Sequence, residues 1–292
     1  MQDHLRLDSF DLSLSDIASV DVKMLHALSL GVGWPHRTED WDMLRHTGQG
    51  LAAIDGIGRV FGTAMWFAHG TEFATIGMVI TSHRFQAHGN GRWLMEQVLE
   101  RCGHRNLLLN ATRPAYNLYV SLGFVPEESV YQCQGEVAPR LRSFEPVKGE
   151  LKGVAHADLD SIAALDARAF GTERKRLLRI LARDAKGYGI WRDGTLVAYA
   201  FRRSFGRGQV VGPIVASNDE DAIALVSRHL SEIPGQFARV DTRQREGIFL
   251  SVLQDSGLRI FDTVTTMSKG RRFLKAKSGE PSIFGLASHA LS

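Results

Sequence analysis

The sequence predicts a mixed α/β protein built as two consecutive units of similar layout, each a sheet with helices packed on its faces. Three observations lead there. The chain has 292 residues, which at roughly 150 residues per domain suggests two domains. Strand-like and helix-like periods alternate along it. The charge is also uneven: residues 1–146 hold 12 Lys and Arg against 16 Asp and Glu, whereas residues 147–292 hold 23 against 16, so the total of +3 averages one half at −4 and another at +7. A hydrophobic content of 44% with 23% charged residues supplies packed cores and excludes a disordered or fibrous chain. The charge balance argues against a generally basic nucleic-acid binder.

The first unit, expected over residues 1–140, is read element by element. Ile17, Val20, Met24, Ala27 and Leu28 recur at three- and four-residue steps, predicting an amphipathic helix over Asp16–Leu30. Gly31-Val32-Gly33-Trp34-Pro35 breaks it, and Thr38-Glu39-Asp40-Trp41 offers a capping signal before a second short helix, from Trp41 to Leu44 or slightly beyond. Gly50–Ile54 and Arg59–Phe67 read as strands around an Asp55-Gly56 turn, and Phe73–Ile80 as a third. A helix over Arg92–Cys102, a buried strand at Asn106–Asn110, a helix at Pro114–Leu122 opened by proline, and a closing strand at Val130–Glu136 complete the unit.

Residues 137–153 mix polarities around Pro139, Pro146, Gly149 and Gly153, and read as a linker or a crossing strand. The order then repeats over 146–292. Helices are expected around Ile162, Leu165 and Ala169 and over Thr172–Ala182, with a hairpin over Gly187–Phe201 turning at Asp193-Gly194. A strand ending at Ala216, a helix over Glu220–Leu230, a strand at Ala238–Asp241 and a short helix at Gly247–Ser256 follow.

Several functions are set aside cheaply. The opening residues carry acids and no apolar stretch of the kind a signal peptide needs, and no apolar run approaches the roughly 18 residues of a membrane span. A soluble cytoplasmic protein is expected, with no membrane partner. Cys102 and Cys133 have no partner at metal-ligand spacing, so neither a metal site nor a disulfide framework is expected.

The chemistry is carried by one stretch. A strand through Met78, Val79 and Ile80 runs into Gln86-Ala87-His88-Gly89-Asn90-Gly91-Arg92 and straight on into a helix. Glycines there let successive backbone N–H groups face one space, and the same groups are the unsatisfied donors of a helix N-terminus, where the dipole favours anions. That describes a cradle for a diphosphate, although a tight strand-to-helix turn would use the same residues. No Lys-Ser/Thr pair follows to make a nucleotide P-loop, and Gly-x-Gly-x-x-Gly is absent. Beyond it lies Tyr116-Asn117-Leu118-Tyr119-Val120-Ser121-Leu122-Gly123-Phe124.

Together the two stretches resemble the GNAT superfamily, the Gcn5-related N-acetyltransferases. Gln86, Gly89 and Gly91 match its Gln/Arg-x-x-Gly-x-Gly/Ala motif, and Leu118, Tyr119, Gly123 and Phe124 match its later Leu-Tyr-x-x-x-Gly-Phe motif, in order. Gly33-Trp34-Pro35-His36-Arg37, Asp40-Trp41 and Asn110-Ala111-Thr112 are similar to a bacterial two-domain subgroup, whose second GNAT-like domain matches the stretch with Gly212-Pro213-Ile214-Val215-Ala216. The resemblance implies tandem GNAT acyl-CoA N-acyltransferase folds and acetyl-CoA as cofactor. Met78, Val79 and Ile80 would bind the pantetheine arm and Gln86 to Arg92 the diphosphate, with His88 and Arg92 adding donors. Asn110 and Thr112 would help hold the cofactor or a water, beside Tyr116. The family's frequent asparagine seven residues before the tyrosine is replaced by Thr112. Tyr119 would protonate the leaving thiolate, which suits a phenol of ordinary pKa about 10.

Trp34, His36 and Trp41 fall where family members bind the acceptor, and core packing is the alternative for both tryptophans. The acceptor's proton could go to Glu39, Asp40, His36, His83 or a water. In the second half, Val215-Ala216-Ser217-Asn218-Asp219-Glu220 stands where the cradle would be, with acids and no glycines, which implies a degenerate domain. The run from Lys269 to Lys277 reads as a strand end or a site for an anionic partner. Arg202, Arg203 and Arg207 beside Phe201 and Phe205 fit a hairpin better than a nucleic-acid patch. The expected function is direct acetyl transfer to a primary amine of a small molecule by a monomer or homodimer. A non-catalytic acyl-CoA sensor and a protein lysine or N-terminal acetyltransferase are the alternatives.

Overall fold

A computed structural model describes residues 4–7, 10–83, 89–142, 146–273 and 279–292. It divides into two compact units. One is Met1–Leu107 with the three residues Phe205–Arg207; the other is Leu108–Ser204 with Gly208–Ser292.

The first unit is an antiparallel meander of β1 (His4–Leu7), β2 (Phe10–Asp16), β3 (Gln49–Asp55), β4 (Val60–His69) and β5 (Phe73–Thr81), paired in that order. Its helices are α1 (Val22–Gly31), α2 (Thr38–Thr47) and α3 (Asn90–Cys102). Helix α1 starts later than its periodicity predicts, because two aspartates set its start. Asp16 accepts from the Ala18 N–H at 2.8 Å and holds Ile17–Ser19 in a tight 3-10 turn, and Asp21 accepts from Lys23 N–H at 2.9 Å as the cap. The residues before Asp16 are strand. Helix α2 starts at Thr38, three residues earlier than expected, because Asp40 turns back to accept the Arg37 backbone N–H at 2.8 Å and closes the first turn.

Strand β6 (Asn106–Ala111) crosses the division between the units. The second unit continues with α4 (Tyr116–Ser121), β7 (Val125–Glu136), β8 (Glu150–Gly153), α5 (Leu159–Phe170), α6 (Lys175–Asp184), β9 (Lys186–Arg192) and β10 (Thr195–Phe205). Then come β11 (Gly208–Ala216), α7 (Asp219–Leu230), β12 (Phe237–Thr242), α8 (Ile248–Asp255), β13 (Arg259–Lys269) and β14 (Ser282–Gly285). Its strands run β6-β13-β7-β12-β11-β10-β9-β8, with β14 added to β11.

Strand β7 has partners that sequence reading does not supply. It pairs antiparallel with β12, from Phe237↔Glu136 to Thr242↔Tyr131, and on its other side with β13. Cys133 and Val137 thereby join a core of Ile190, Val211, Val226, Leu253 and Leu258. Both cysteines are buried and unlinked; burial pushes the Cys102 thiol up to about 11 and the Cys133 thiol up to about 12, so neither is a nucleophile at neutral pH. Among the described residues no group of His, Cys, Asp and Glu is placed to hold a metal ion, and no helix is long and apolar enough to cross a membrane.

Candidate active site

In the first unit the site is built on a defect in β5. Thr63 pairs with Ile80 and Met65 with Gly77, so β5 carries one residue more than β4 over that interval. The extra residue is accommodated at Met78, whose φ of 51° is left-handed, a conformation that costs a non-glycine residue about 1–2 kcal/mol. Thr63 stabilises the bulge by donating its hydroxyl to the Met78 carbonyl at 2.8 Å, where both groups are buried. The Met78 and Ile80 side chains point into the core, while Gly77 and Val79 stay partly exposed. A bulge re-aims backbone groups away from the ladder, so Met78 to Ile80 can offer main-chain donors and acceptors to an extended ligand.

Helix α3 begins just beyond, at Gly89, whose φ of 90° suits glycine alone; among the described residues no side chain caps the first turn. The N–H groups there are therefore available for an anion. Asn90 is fully buried and donates to the Phe61 carbonyl at 3.3 Å, so its side chain docks the helix on β4 and only its backbone is left for a ligand. The docking needs Gly62: a Cβ there would lie 2.8 Å from Leu94 Cδ1 and 2.9 Å from Asn90 Nδ2. Arg92 is exposed beside Glu96 at 3.6 Å, and Gly91 stands in the same turn. Gln86, Ala87 and His88 lie outside the described residues.

Trp34, His36 and Trp41 are brought together. The His36 ring centroid lies 5.8 Å from Trp34 and 6.2 Å from Trp41. A fourth ring that sequence reasoning missed joins them: Phe205 packs edge-on to His36 at 5.4 Å. The members are not equivalent. Trp41 is wholly buried and donates its indole N–H to Ser29 Oγ at 3.2 Å, a packing position between α1 and α2. Trp34 and His36 keep partial exposure and can meet a ligand.

Among the proposed bases, Asp40 is already committed. Its carboxylate accepts from the Arg37 backbone N–H at 2.8 Å, from Arg37 Nε at 3.2 Å and Nη2 at 2.7 Å, and from the Gly206 N–H at 2.9 Å. Burial alone would raise its pKa, but these donors outweigh burial and hold it below the usual carboxylate range. It is an anchor for the Phe205–Arg207 turn. Glu39 and His83 are exposed.

In the second unit, Tyr119 sits on α4 with its ring 6.0 Å from Phe124 and only 5% of its surface exposed. Burial raises its pKa, so the phenol keeps its proton throughout the neutral range. Its hydroxyl makes no hydrogen bond among the described residues, which leaves it free to donate. Tyr116 is half-buried at the start of α4, and Thr112 precedes the turn that leads into it. Asn110 is spent within the protein: its amide donates to the His289 carbonyl at 2.8 Å and Ser292 Oγ at 3.2 Å, and its carbonyl accepts from Thr266 at 2.7 Å. The basic hairpin residues also turn inward, with Arg202 paired to Glu232 at 3.0 Å and Arg203 only 5% exposed. Of the run from Lys269 to Lys277, Lys269 donates to the Leu122 carbonyl and Arg271 to that of Gly171, while residues 274–278 lie outside the described residues.

Comparison with known proteins identifies the class. Residues 25–124 match the model of the acetyltransferase (GNAT) family, and residues 162–284 match that of an acetyltransferase (GNAT) domain. A putative acetyltransferase from Pyrococcus horikoshii is similar over 100% of this chain and 99% of its own, at 16% identity and a TM-score of 0.77. A tandem GNAT protein from the clavulanic acid biosynthesis pathway is similar over 89% of this chain and 100% of its own (16% identity, TM-score 0.61). A GCN5-related N-acetyltransferase from Sphaerobacter thermophilus covers 88% and 95% (13%, 0.61). No curated protein matches the chain. The fold is thus a tandem of GNAT folds, within which acyl-CoA-dependent N-acyl transfer is the general activity. This chain belongs to the GNAT superfamily as a two-domain member.

Proposed function

We propose that the protein transfers the acetyl group of acetyl-CoA directly to a primary amine of a small molecule, in the cytoplasm and without a metal. The observation that carries this reading is the sequence of bulged strand and uncapped helix in the first unit. The β5 bulge at Met78 supplies main-chain hydrogen-bonding groups, and α3 opens at Gly89 with no side-chain cap among the described residues. Such a pair suits a ligand with an amide-bearing arm and a diphosphate.

When bound, acetyl-CoA supplies an activated thioester. The chain's residues do the rest. Met78 to Ile80 hold the arm, and a backbone N–H of that bulge polarises the acyl carbonyl. Gly89, Gly91 and Arg92 receive the diphosphate. Trp34, His36 and Phe205 line the acceptor side, where aromatic faces suit a cationic or aromatic amine. The amine passes a proton to His36, Glu39, His83 or water as the new amide bond forms, and Tyr119 returns a proton to the departing sulfur. A phenol kept protonated by burial fits that role.

The test is Tyr119→Phe, assayed for CoA release against a panel of amines. Turnover should fall by about tenfold or more while acetyl-CoA binding stays within about twofold. Equal turnover in the variant removes Tyr119 from the mechanism. If acetyl-CoA binds but no amine or lysine peptide is acetylated, the chain is a sensor and not an enzyme.

A further inference from the structure

The second unit repeats the strand-turn-helix layout of the first, but the opening between its two parallel strands is filled. Strands β11 and β12 pair only at Gln209↔Ala238 and Val210↔Arg239. Past Val210, β11 bonds instead to β14, with Ile214 opposite Gly285, Val215 opposite Ile283 and Ala216 opposite Ser282. The same segment also bonds to β12, through the Leu286 N–H to the Asp241 carbonyl at 2.8 Å. It therefore satisfies backbone groups on both strands that diverge around it.

The fit is close and largely dry. Leu286, Ala287 and Leu291 are wholly buried, and Ser292 is 1% exposed. Gly212 lies so near the Leu286 carbonyl that a Cβ would collide with it. Two buried guanidiniums hold the segment's carbonyls. Arg203 donates to Ala287 at 2.8 Å, and Arg174 donates to Leu291 at 3.1 Å and to Ser292. Arg174 is itself fixed by a bidentate pair with the fully buried Asp166, which also accepts from the Tyr199 hydroxyl at 2.6 Å.

The helix that follows β11 is closed as well. Asn218 caps α7 by accepting the Asp221 N–H at 2.8 Å, and the first turn holds Asp219, Glu220 and Asp221. Side-chain capping and three carboxylates oppose an anion there, in contrast to the bare glycine start of α3.

We propose that Ser282–Ser292 is a resident ligand of the second unit, bound between β11 and β12 as a short strand, Ser282–Gly285, that ends in a turn over 288–292, with Arg174 and Arg203 on its carbonyls, and that this occupancy leaves the chain one acyl-CoA site. The count of one rests on the function proposed above; the occupancy does not. The bound segment also secures β6, since His289 and Ser292 accept from the Asn110 amide while Thr266 of β13 donates to its carbonyl.

Hydrogen exchange on the full chain tests the occupancy without reference to cofactor. The amides of 283–291 should exchange at least about a hundredfold more slowly than a free peptide, and free-peptide rates would overturn the proposal. Arg203→Met keeps bulk but removes the donor to Ala287, and should speed exchange of 285–288 several-fold with the far-ultraviolet spectrum unchanged. Leu286→Asp should release the segment and expose the amides of 214–216; if neither variant changes exchange, the segment is not held as described. Calorimetric titration with acetyl-CoA should give one site per chain. Two sites overturn the proposal; no binding counts against the cofactor reading of the first unit, and exchange still decides the occupancy.

Discussion

Lys269 Nζ donates to the Leu122 carbonyl at 2.7 Å, so a lysine at the end of β13 closes the C-terminus of the helix that carries Tyr119. Helix α4 has only six residues, too few to be stable from its own hydrogen bonds. An ammonium at its negative end supplies both a hydrogen bond and a favourable interaction with the exposed carbonyls.

Lys269→Met should therefore destabilise the protein by about 1 kcal/mol, the usual net worth of such a hydrogen bond, read as a lower denaturant midpoint. Turnover should drop with it while the KM for acetyl-CoA holds. Lys269→Arg, which restores a donor, should recover most of both. A Met variant with wild-type stability and turnover would show that α4 is positioned by other contacts.

Asp40 gives a pH-dependent prediction. Its pKa is lowered in the folded protein by its donors Arg37 and Gly206, against the opposing effect of burial. A group with a depressed folded pKa stabilises above its unfolded value, about 3.9, and the contribution disappears as pH falls through the folded value. Asp40→Asn should cost about 2 kcal/mol near neutrality, the scale of hydrogen bonds to a charged group. The gap between the two proteins should close in acid below pH ~4. A gap that stays constant down to pH ~2 would mean that the carboxylate's charge plays no part.

The aromatic cluster separates acceptor from cofactor. Phe205 meets His36 edge-on at 5.4 Å, a contact worth about 0.5–1.5 kcal/mol. Phe205→Leu should raise the KM for the acceptor amine roughly two- to tenfold, the same energy expressed as affinity, with acetyl-CoA binding unchanged. Loss of acetyl-CoA binding in this variant would place Phe205 in a different role.

What the sequence reveals and what it conceals divide by range. The turn into α3, strands β3 to β5 and the hairpin of β9 and β10 are visible because glycine positions, alternation and capping residues act over a few positions, whereas the aromatic trio is singled out by the family resemblance alone. Strand partners are chosen by tertiary packing, so nothing in Val130–Glu136 announces β12 and β13 as neighbours. For the same reason Phe205 is invisible as a partner of His36, and Asn110 as a partner of Thr266 and His289. Asp40 looks like a free carboxylate in the sequence, since a backbone donor as remote as Gly206 leaves no local trace. The isolated acids at Asp219 to Asp221 do show that α7 is no anion site, because capping chemistry is local.

The docking of α3 rests on Gly62, and a small change there should reach the cofactor. A Cβ at this position would lie 2.8 Å from Leu94 Cδ1, 2.9 Å from Asn90 Nδ2 and 3.0 Å from the Ile80 carbonyl. The first two contacts are side-chain ends on the helix and the third is backbone of the bulged strand, so relief re-aims the two side chains that dock α3 on β4. Shifting the Asn90 amide stretches its bond to the Phe61 carbonyl, already 3.3 Å, and loosens the helix start at Gly89. Gly62→Ala should cost about 1–3 kcal/mol in stability, the usual range for overpacking, and should weaken acetyl-CoA binding. Gly56→Ala is the control, since its Cβ would meet open space at a turn between β3 and β4; it should leave binding unchanged. Stability lost in Gly62→Ala with full acetyl-CoA affinity would separate the helix start from the cofactor and refute the cradle.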